Sequence, residues 1–172
     1  MSAAERLAAI VRTHQAGLLL DTNVLLVFLA DLAGPEFARR WAPAANFGER
    51  YLVPLRAAVG AATRLVTTPH ILTEMTNFTA QGATRDKDHQ RLKEFVREFT
   101  LNAKERFIAS KHLAVDPAFT RLGLADIAQV LLSRRRRPLI LTLDGPLTGE
   151  LERRSLPVAN LTNYAFPVED FR

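Results

Sequence analysis

The chain has 172 residues, of which 48% are hydrophobic and 24% are charged, and its net charge is +5. This composition predicts a single globular domain over residues 1–172, with enough apolar side chains for its own core. The absence of cysteine excludes disulfides and thiolate metal sites and favours a reducing, cytoplasmic location. The longest apolar stretch, residues 18–30, is too short to cross a membrane. The positive charge suits a polyanion or an acidic protein as partner.

The first predicted element is an amphipathic helix at about residues 3–15, which ends before Gly17. The next run, residues 18–22, has no polar alternation before Asp21. Such a run is typical of a strand that is covered on both faces in a parallel sheet. A helix over residues 24–32 is predicted to follow it and to end at a Gly-Pro pair.

The middle of the chain gives weaker signals. Residues 36–62 mix aromatic and basic side chains and predict only short helical segments. Residues 65–66 predict a short strand, after which Thr68 and Pro69 have the cap-and-proline pattern that begins a helix. A long charged helix is predicted at about residues 86–110 from its apolar stripe.

A third strand is predicted at residues 112–115, and Asp116 is expected to cap a helix after it. A further helix is predicted from about Leu124 to the arginine run at 134–137.

The apolar run at residues 138–143 ends in Asp144 and predicts a second buried strand, and residues 156–161 predict the last one. Strands and helices alternate along the whole chain. This order predicts an α/β fold, a three-layer α/β/α sandwich with a central, mostly parallel five-stranded sheet.

Four acids occupy positions at which a structural role is not the only explanation. Asp21 and Asp144 each follow a predicted buried strand, and the carboxyl ends of parallel strands lie at one edge of a sheet. Each can instead cap a helix or form a turn. Glu74 lies beyond the first turn of its helix at the border of the apolar face, pointing partly inward. Asp126 stands among apolar residues near a helix start, where the helix dipole favours an acid whatever its role.

If the four acids converge, their charges need compensation. Two carboxylates about 4 Å apart repel each other by about 4 kcal/mol at an effective dielectric constant near 20. They must share protons or bind a divalent cation, and ligation by oxygen alone favours Mg²⁺ or Mn²⁺ over Zn²⁺. Four histidines lack the spacing of a zinc site and are interpreted as structural or surface residues: His14, His70, His89 and His112.

Four motifs carry a resemblance to a known family. They read Leu-Asp-Thr-Asn-Val-Leu-Leu at 20–26, Thr-Pro-His-Ile-Leu-Thr-Glu at 68–74, Leu-Gly-Leu-Ala-Asp-Ile-Ala at 122–128 and Leu-Thr-Leu-Asp at 141–144. In order and spacing they resemble the PIN-domain ribonucleases, and most of all the VapC-like toxins of type II toxin–antitoxin systems. The resemblance covers about residues 18–162.

The resemblance implies a five-stranded parallel sheet between helices and metal-dependent hydrolysis of RNA. It implies that the catalytic and metal-binding site for Mg²⁺ or Mn²⁺ is formed by Asp21, Glu74, Asp126 and Asp144. Asn23 and Thr142 would orient this site through hydrogen bonds. The helix at residues 3–15 and the length of the segment 35–63 depart from the compact toxins of this family.

The expected partners are an RNA substrate and an antitoxin protein; a homodimer is left open, and no membrane association is expected. Four consecutive arginines either contact RNA phosphates or form a solvated helix end: Arg134, Arg135, Arg136 and Arg137. Two alternatives to a toxin remain, a non-toxin RNA-processing nuclease and an RNA- or protein-binding scaffold that does not cut. A haloacid-dehalogenase-like phosphatase is disfavoured because it needs a second aspartate where this chain has Asn23.

Overall fold

Five strands form one sheet in the computed structural model, which describes residues 1–45, 47, 49–80 and 87–165. In chain order the strands are β1 (Leu18–Leu20), β2 (Leu65–Thr67), β3 (Lys104–Glu105), β4 (Leu139–Thr142) and β5 (Val158–Asn160). Their spatial order is β3-β2-β1-β4-β5, and every neighbouring pair is parallel. The predicted α/β fold with a central five-stranded sheet between helices is confirmed.

Helices make up most of the remaining described chain. They are α1 (Ala3–Thr13), α2 (Thr22–Ala33), α3 (Pro35–Arg40), α4 (Ala42–Ala45), α5 (Leu52–Ala61), α6 (Pro69–Ala80), α7 (Lys87–Asn102), α8 (Ser110–Leu113), α9 (Phe119–Leu122), α10 (Leu124–Arg136) and α11 (Gly145–Arg153). Two short 3₁₀ helices lie at Glu49–Tyr51 and Leu161–Tyr164. No helix in these described ranges is both long and apolar enough to cross a membrane.

Strand β1 is the centre of the core. All three of its leucines are buried, and Leu18 pairs with Leu65 of β2 on one side and with Leu139 of β4 on the other. Burying one leucine side chain contributes about 1.5–3 kcal/mol, so this apolar strand is held firmly between its neighbours. The chain leaves β1 at Asp21, whose position is therefore fixed by the sheet.

One glycine is required for this arrangement. Gly17 precedes β1 with a φ of +104°, a backbone conformation that L side chains rarely adopt. A Cβ atom at this position would lie 2.6 Å from Cγ of Arg64 and 2.9 Å from the Arg64 carbonyl oxygen. Only glycine lets the chain turn from α1 into β1 so close to the residue before β2.

The third strand was predicted in the wrong place. Residues 112–115 include the end of α8, and β3 lies at Lys104–Glu105, inside the long helix predicted at 86–110. That helix ends at Asn102, and its predicted start at residue 86 lies outside the described residues. Both residues of β3 are exposed at the edge of the sheet, so no apolar run marks them as a strand.

The N-terminal helix α1 packs against α5, which belongs to the segment after α2. Leu7 and Val11 of α1 are buried in the main core, and α1 packs along α5, in which Leu55 and Ala58 are buried. Since α5 belongs to the segment 35–63, the N-terminal helix and this part of the segment pack together.

A buried ion-pair network joins α11 to the loop before α9. Arg154 donates two hydrogen bonds of 2.7 Å to Asp116 and also pairs with Glu150, and both acid side chains are nearly inaccessible to solvent. The hydrogen bond from Arg154 lowers the pKa of Asp116 to about 2. The prediction that Asp116 caps a helix was wrong: it accepts from the backbone N–H of Ala118, but α9 has no side-chain cap.

We expect Arg154→Met to lower the free energy of unfolding by about 3–5 kcal/mol, because it removes one partner of a buried ion pair. The matched control is Arg97→Met, since the Arg97–Glu98 pair is exposed and should contribute about 1 kcal/mol or less. Urea unfolding at pH 7 measures both. Equal losses in the two variants would show that the network does not hold α11 in place.

Candidate acidic site

An open cleft of about 400 Å³ lies at the carboxyl edge of the sheet. Its lining residues are Asp21, Thr22, Asn23, Glu74, Asn77, Phe78, Leu122, Asp126 and Asp144. All four acids singled out in the sequence line this one cleft, although they come from four different parts of the chain. The topology brings them together because the strands are parallel and their carboxyl ends share one edge.

Asp21 is the buried member of the group. It is the N-cap of α2, and its Oδ1 accepts from the backbone N–H of Thr22 at 2.7 Å. The same oxygen accepts from Nε2 of Gln129 at 3.0 Å, and Oδ2 accepts from the hydroxyl of Thr142 at 2.9 Å. Both carboxylate oxygens are therefore held by neutral donors, and Thr142 makes the kind of hydrogen bond that its predicted orienting role requires.

Asp144 is held at the start of α11. Its Oδ1 accepts from the backbone N–H of Leu147 at 2.6 Å, as in a helix N-cap. Its own backbone N–H donates to the Thr142 hydroxyl at 2.9 Å. Thr142 therefore connects Asp144 to Asp21 through two hydrogen bonds, and the two strand ends β1 and β4 keep a fixed relation at the cleft.

Glu74 reaches the cleft from α6. Its Oε2 accepts from the hydroxyl of Thr22 at 2.8 Å, a contact across 52 residues of sequence. Glu74 is exposed, whereas the sequence predicted a side chain that points partly inward. The reason is that α6 presents its buried face, with Ile71 and Met75, to the core and leaves Glu74 at the open side of the cleft.

Asp126 is half-buried in the first turn of α10. Its Oδ1 lies 3.4 Å from Nε2 of Gln129, which stands one turn further along the helix. Asp21 and Asp144 also sit at helix starts, so the positive ends of three helix dipoles meet the cleft. Each such end favours a nearby negative charge by about 0.3–1 kcal/mol.

The carboxylates influence each other's protonation. Burial is the main cause that raises the pKa of Asp126 to about 8 from its usual value of 3.8, and the negative charges of Asp21, Asp144 and Glu74 raise it further. Burial also raises the pKa of Asp21, and the hydrogen bonds from Gln129 and Thr142 oppose that rise. Both shifts favour the binding of a proton by the metal-free group of acids.

The donor set fits a hard divalent cation. Four carboxylates line the cleft, and none of them pairs with an arginine, lysine or histidine of the described ranges. Oxygen donors alone suit Mg²⁺ or Mn²⁺. No three acidic or histidine side chains within the described ranges are arranged closely enough to hold a metal ion as they stand. Closing these acids around a cation therefore requires side-chain rotation.

Three carboxylate oxygens are available for such a rotation. One oxygen each of Glu74, Asp126 and Asp144 makes no hydrogen bond to the described chain, since only Oε2 or Oδ1 is engaged in each case. Both oxygens of Asp21 are engaged. Asp21 is thus the fixed member of the group and the other three are adjustable.

Other predicted residues lie differently. Asn23 lines the cleft, but its side chain makes no hydrogen bond with the described part of the chain, so its orienting role stays a prediction. The arginine run at 134–137 is exposed at the far end of α10. Arg134 lies about 12 Å along the helix axis from Asp126, at a rise of 1.5 Å per residue. None of the four histidines lines the cleft.

Three polar residues at the site were not singled out in the sequence as site residues: Thr22, Asn77 and Gln129. Thr22 links Glu74 to the end of β1, and Gln129 contacts both Asp21 and Asp126. Gln129 is the one polar residue in the run from Ile127 to Leu132, which is the signal that could have marked it. Its partner Asp21 lies 108 positions away in sequence, a contact that no local pattern indicates.

Comparison with models of known protein families and with curated proteins finds no match for this chain. The resemblance to PIN-domain ribonucleases therefore stays a prediction from the four motifs, and the chemistry of the cleft has to be argued from its geometry.

We expect Asp126→Asn to stabilise the metal-free protein at pH 8 but to change it little at pH 4. The pKa of Asp126 is higher in the folded protein than in the unfolded chain. The protonated side chain therefore costs the folded protein no stability below about pH 4, and the folded protein loses stability as the pH rises through about 8 and Asp126 ionises. A gain of about 1 kcal/mol raises the melting temperature by about 2–4 °C in a chain of this size.

The measurement is thermal unfolding in EDTA at both pH values. The matched control is Glu152→Gln, an exposed acid on α11 outside the cleft, which should follow the wild type at both. If Asp126→Asn has the same melting temperature as the wild type at pH 8, the environment of the cleft does not disfavour the charge of Asp126.

Proposed function

We propose that the chain is a metal-dependent endoribonuclease of the PIN type, which hydrolyses RNA phosphodiester bonds with Mg²⁺ or Mn²⁺. One observation carries the proposal: four carboxylates from separate elements line one cleft, and no cationic side chain of the described ranges neutralises them. A site that keeps uncompensated acids together is built to bind a cation. The four motifs and the order of the acids along the chain support the choice of reaction.

The four acids would have different roles, because hydrogen bonds hold Asp21 in place and leave the other three able to rotate. Asp21 is fixed by three neutral donors and would serve as the constant ligand. Glu74, Asp126 and Asp144 each have a free oxygen and would close on the cation. When bound there, the cation would supply Lewis-acid chemistry, which would lower the pKa of water and neutralise charge on the phosphate.

Hydrogen bonds hold these ligands in place. Thr142 orients Asp21 and the backbone of Asp144, and Thr22 orients Glu74. Such outer partners keep ligating carboxylates in a usable geometry, and their loss weakens metal binding or activity about 10–100-fold. The cleft is open to solvent, which leaves its acids accessible to a polymer such as RNA.

A non-cutting RNA-binding scaffold fits the cleft less well. RNA is a polyanion, and a surface that only binds it gains nothing from four clustered carboxylates. No basic residue of the described ranges lines the cleft, and the four consecutive arginines stand at the far end of α10. The toxin role is a narrower proposal within the nuclease assignment, with an acidic antitoxin as the partner that suits the net charge of +5. An RNA-processing enzyme is the alternative.

Purified protein should cleave RNA with Mg²⁺ or Mn²⁺ and stop in EDTA. Asp144→Asn keeps the size of the side chain and its helix cap, and should lower cleavage at least about 100-fold, the scale seen when one electrostatic group leaves an active site. Glu152→Gln on the same helix is the control and should cleave like the wild type. Cleavage that persists in EDTA would contradict the mechanism.

Expression in a bacterial host should slow growth if the nuclease is a toxin, because uncontrolled RNA cleavage is harmful. The Asp144→Asn variant, expressed at the same level, should not slow growth. Growth curves and total RNA profiles of the two cultures measure this outcome. Normal growth with an active wild-type enzyme would favour the RNA-processing role.

A further inference from the structure

Gln129 is a fully buried amide in a part of α10 that is otherwise apolar. It stands three residues after Asp126, so the two side chains share one face of the helix. That face packs toward the end of β1, where Asp21 lies. A buried glutamine is uncommon unless its polar atoms are satisfied, so its contacts need an explanation.

The amide donates to two acids at once. Nε2 lies 3.0 Å from Oδ1 of Asp21 and 3.4 Å from Oδ1 of Asp126. The amide therefore bridges the fixed acid of the cleft and one of its adjustable acids. Within the described chain no other side chain donates to two of the four carboxylates, since the Thr142 hydroxyl donates to Asp21 but accepts from the backbone N–H of Asp144.

The other end of the amide is the acceptor Oε1. It is buried and makes no hydrogen bond with the described part of the chain. A reversed amide would place this oxygen against two carboxylates, which is electrostatically unfavourable. The two acids therefore fix the orientation of Gln129, and the protein tolerates an unsatisfied buried acceptor to keep the N–H₂ group between them.

We propose that Gln129 is a positioning residue that keeps the carboxylates of Asp21 and Asp126 close together through one oxygen of each and leaves the second oxygen of Asp126 able to turn toward a divalent cation. This inference rests on the proposed function, in which both acids are ligands. A neutral donor is suited to this task. It reduces repulsion between the two acids without occupying the cleft, and a cationic side chain at position 129 would compete with the metal.

The test uses the full chain and Mn²⁺ as the probe, with affinity measured by isothermal titration calorimetry. Gln129→Met removes the amide at nearly the same volume, and we expect Mn²⁺ affinity to fall about 10–100-fold. Gln129→Asn keeps the amide on a chain one methylene shorter, so it reaches at most one acid and should lose less. The control is Ser133→Ala, which removes another fully buried polar group one turn further along α10.

A second readout separates positioning from damage to the fold. If Gln129 acts on the cation site, Gln129→Met should need more Mn²⁺ for half-maximal RNA cleavage and should approach the wild-type rate when Mn²⁺ is in excess. Thermal unfolding in EDTA identifies a folding defect separately, because excess Mn²⁺ would also stabilise a weakly folded variant. If Gln129→Met does not fold, the same pair of measurements on Gln129→Asn decides the question.

The outcomes distinguish this inference from the proposed function. Mn²⁺ binding that is weakened by both Gln129 variants and unchanged by Ser133→Ala supports the positioning role, even if no variant and no wild type cleaves RNA. Equal Mn²⁺ affinity of wild type and Gln129 variants overturns the positioning role and leaves the nuclease proposal standing. A wild type that binds no Mn²⁺ overturns both.

Discussion

The repulsion between carboxylates at the end of a buried strand is the constraint on which the rest of the site depends. Asp21 follows the central strand β1 and is itself buried, so its side chain cannot turn away from the other acids. Asp144 and Asp126 are brought beside it by the parallel topology and by α10. Neutral hydrogen-bond donors stabilise Asp21, and the pKa of Asp126 is raised. Neither effect places a positive charge in the cleft that would compete with a cation.

Three acids outside the cleft, whose side chains are nearly inaccessible to solvent, are instead paired with arginines. Asp31 is buried between α2 and α5 and receives two hydrogen bonds from Arg56, at 2.6 and 2.8 Å. Asp116 and Glu150 are likewise paired with arginines, and the pKa of each is lowered by those hydrogen bonds. This contrast identifies the cleft acids more sharply than their position alone. Where an acid is structural, the chain provides an arginine; where it lines the cleft, the chain provides an amide or a hydroxyl.

The ion-pair network also connects the two segments of the chain that carry Asp126 and Asp144. Arg154 ties the end of α11 to the loop before α9, and α9 leads through Gly123 into the first turn of α10. The other end of α11 begins at Asp144. The buried arginine therefore fixes the two segments from which Asp126 and Asp144 enter the cleft, without contacting either acid. Stability and site geometry depend on the same few contacts in this part of the fold.

The sequence alone determined the layered α/β fold and the four acids, because both leave local signals. The apolar runs of β1 and β4 each precede an aspartate, and Thr68 with Pro69 begins α6 as its pattern indicates. Only the tertiary structure decided the rest. Strand β3 is a two-residue exposed edge whose hydrogen bonds come from β2 and not from its own side chains. The bridge made by Gln129 spans 108 residues, and such a contact exists only once the sheet has set both helix starts at the same edge.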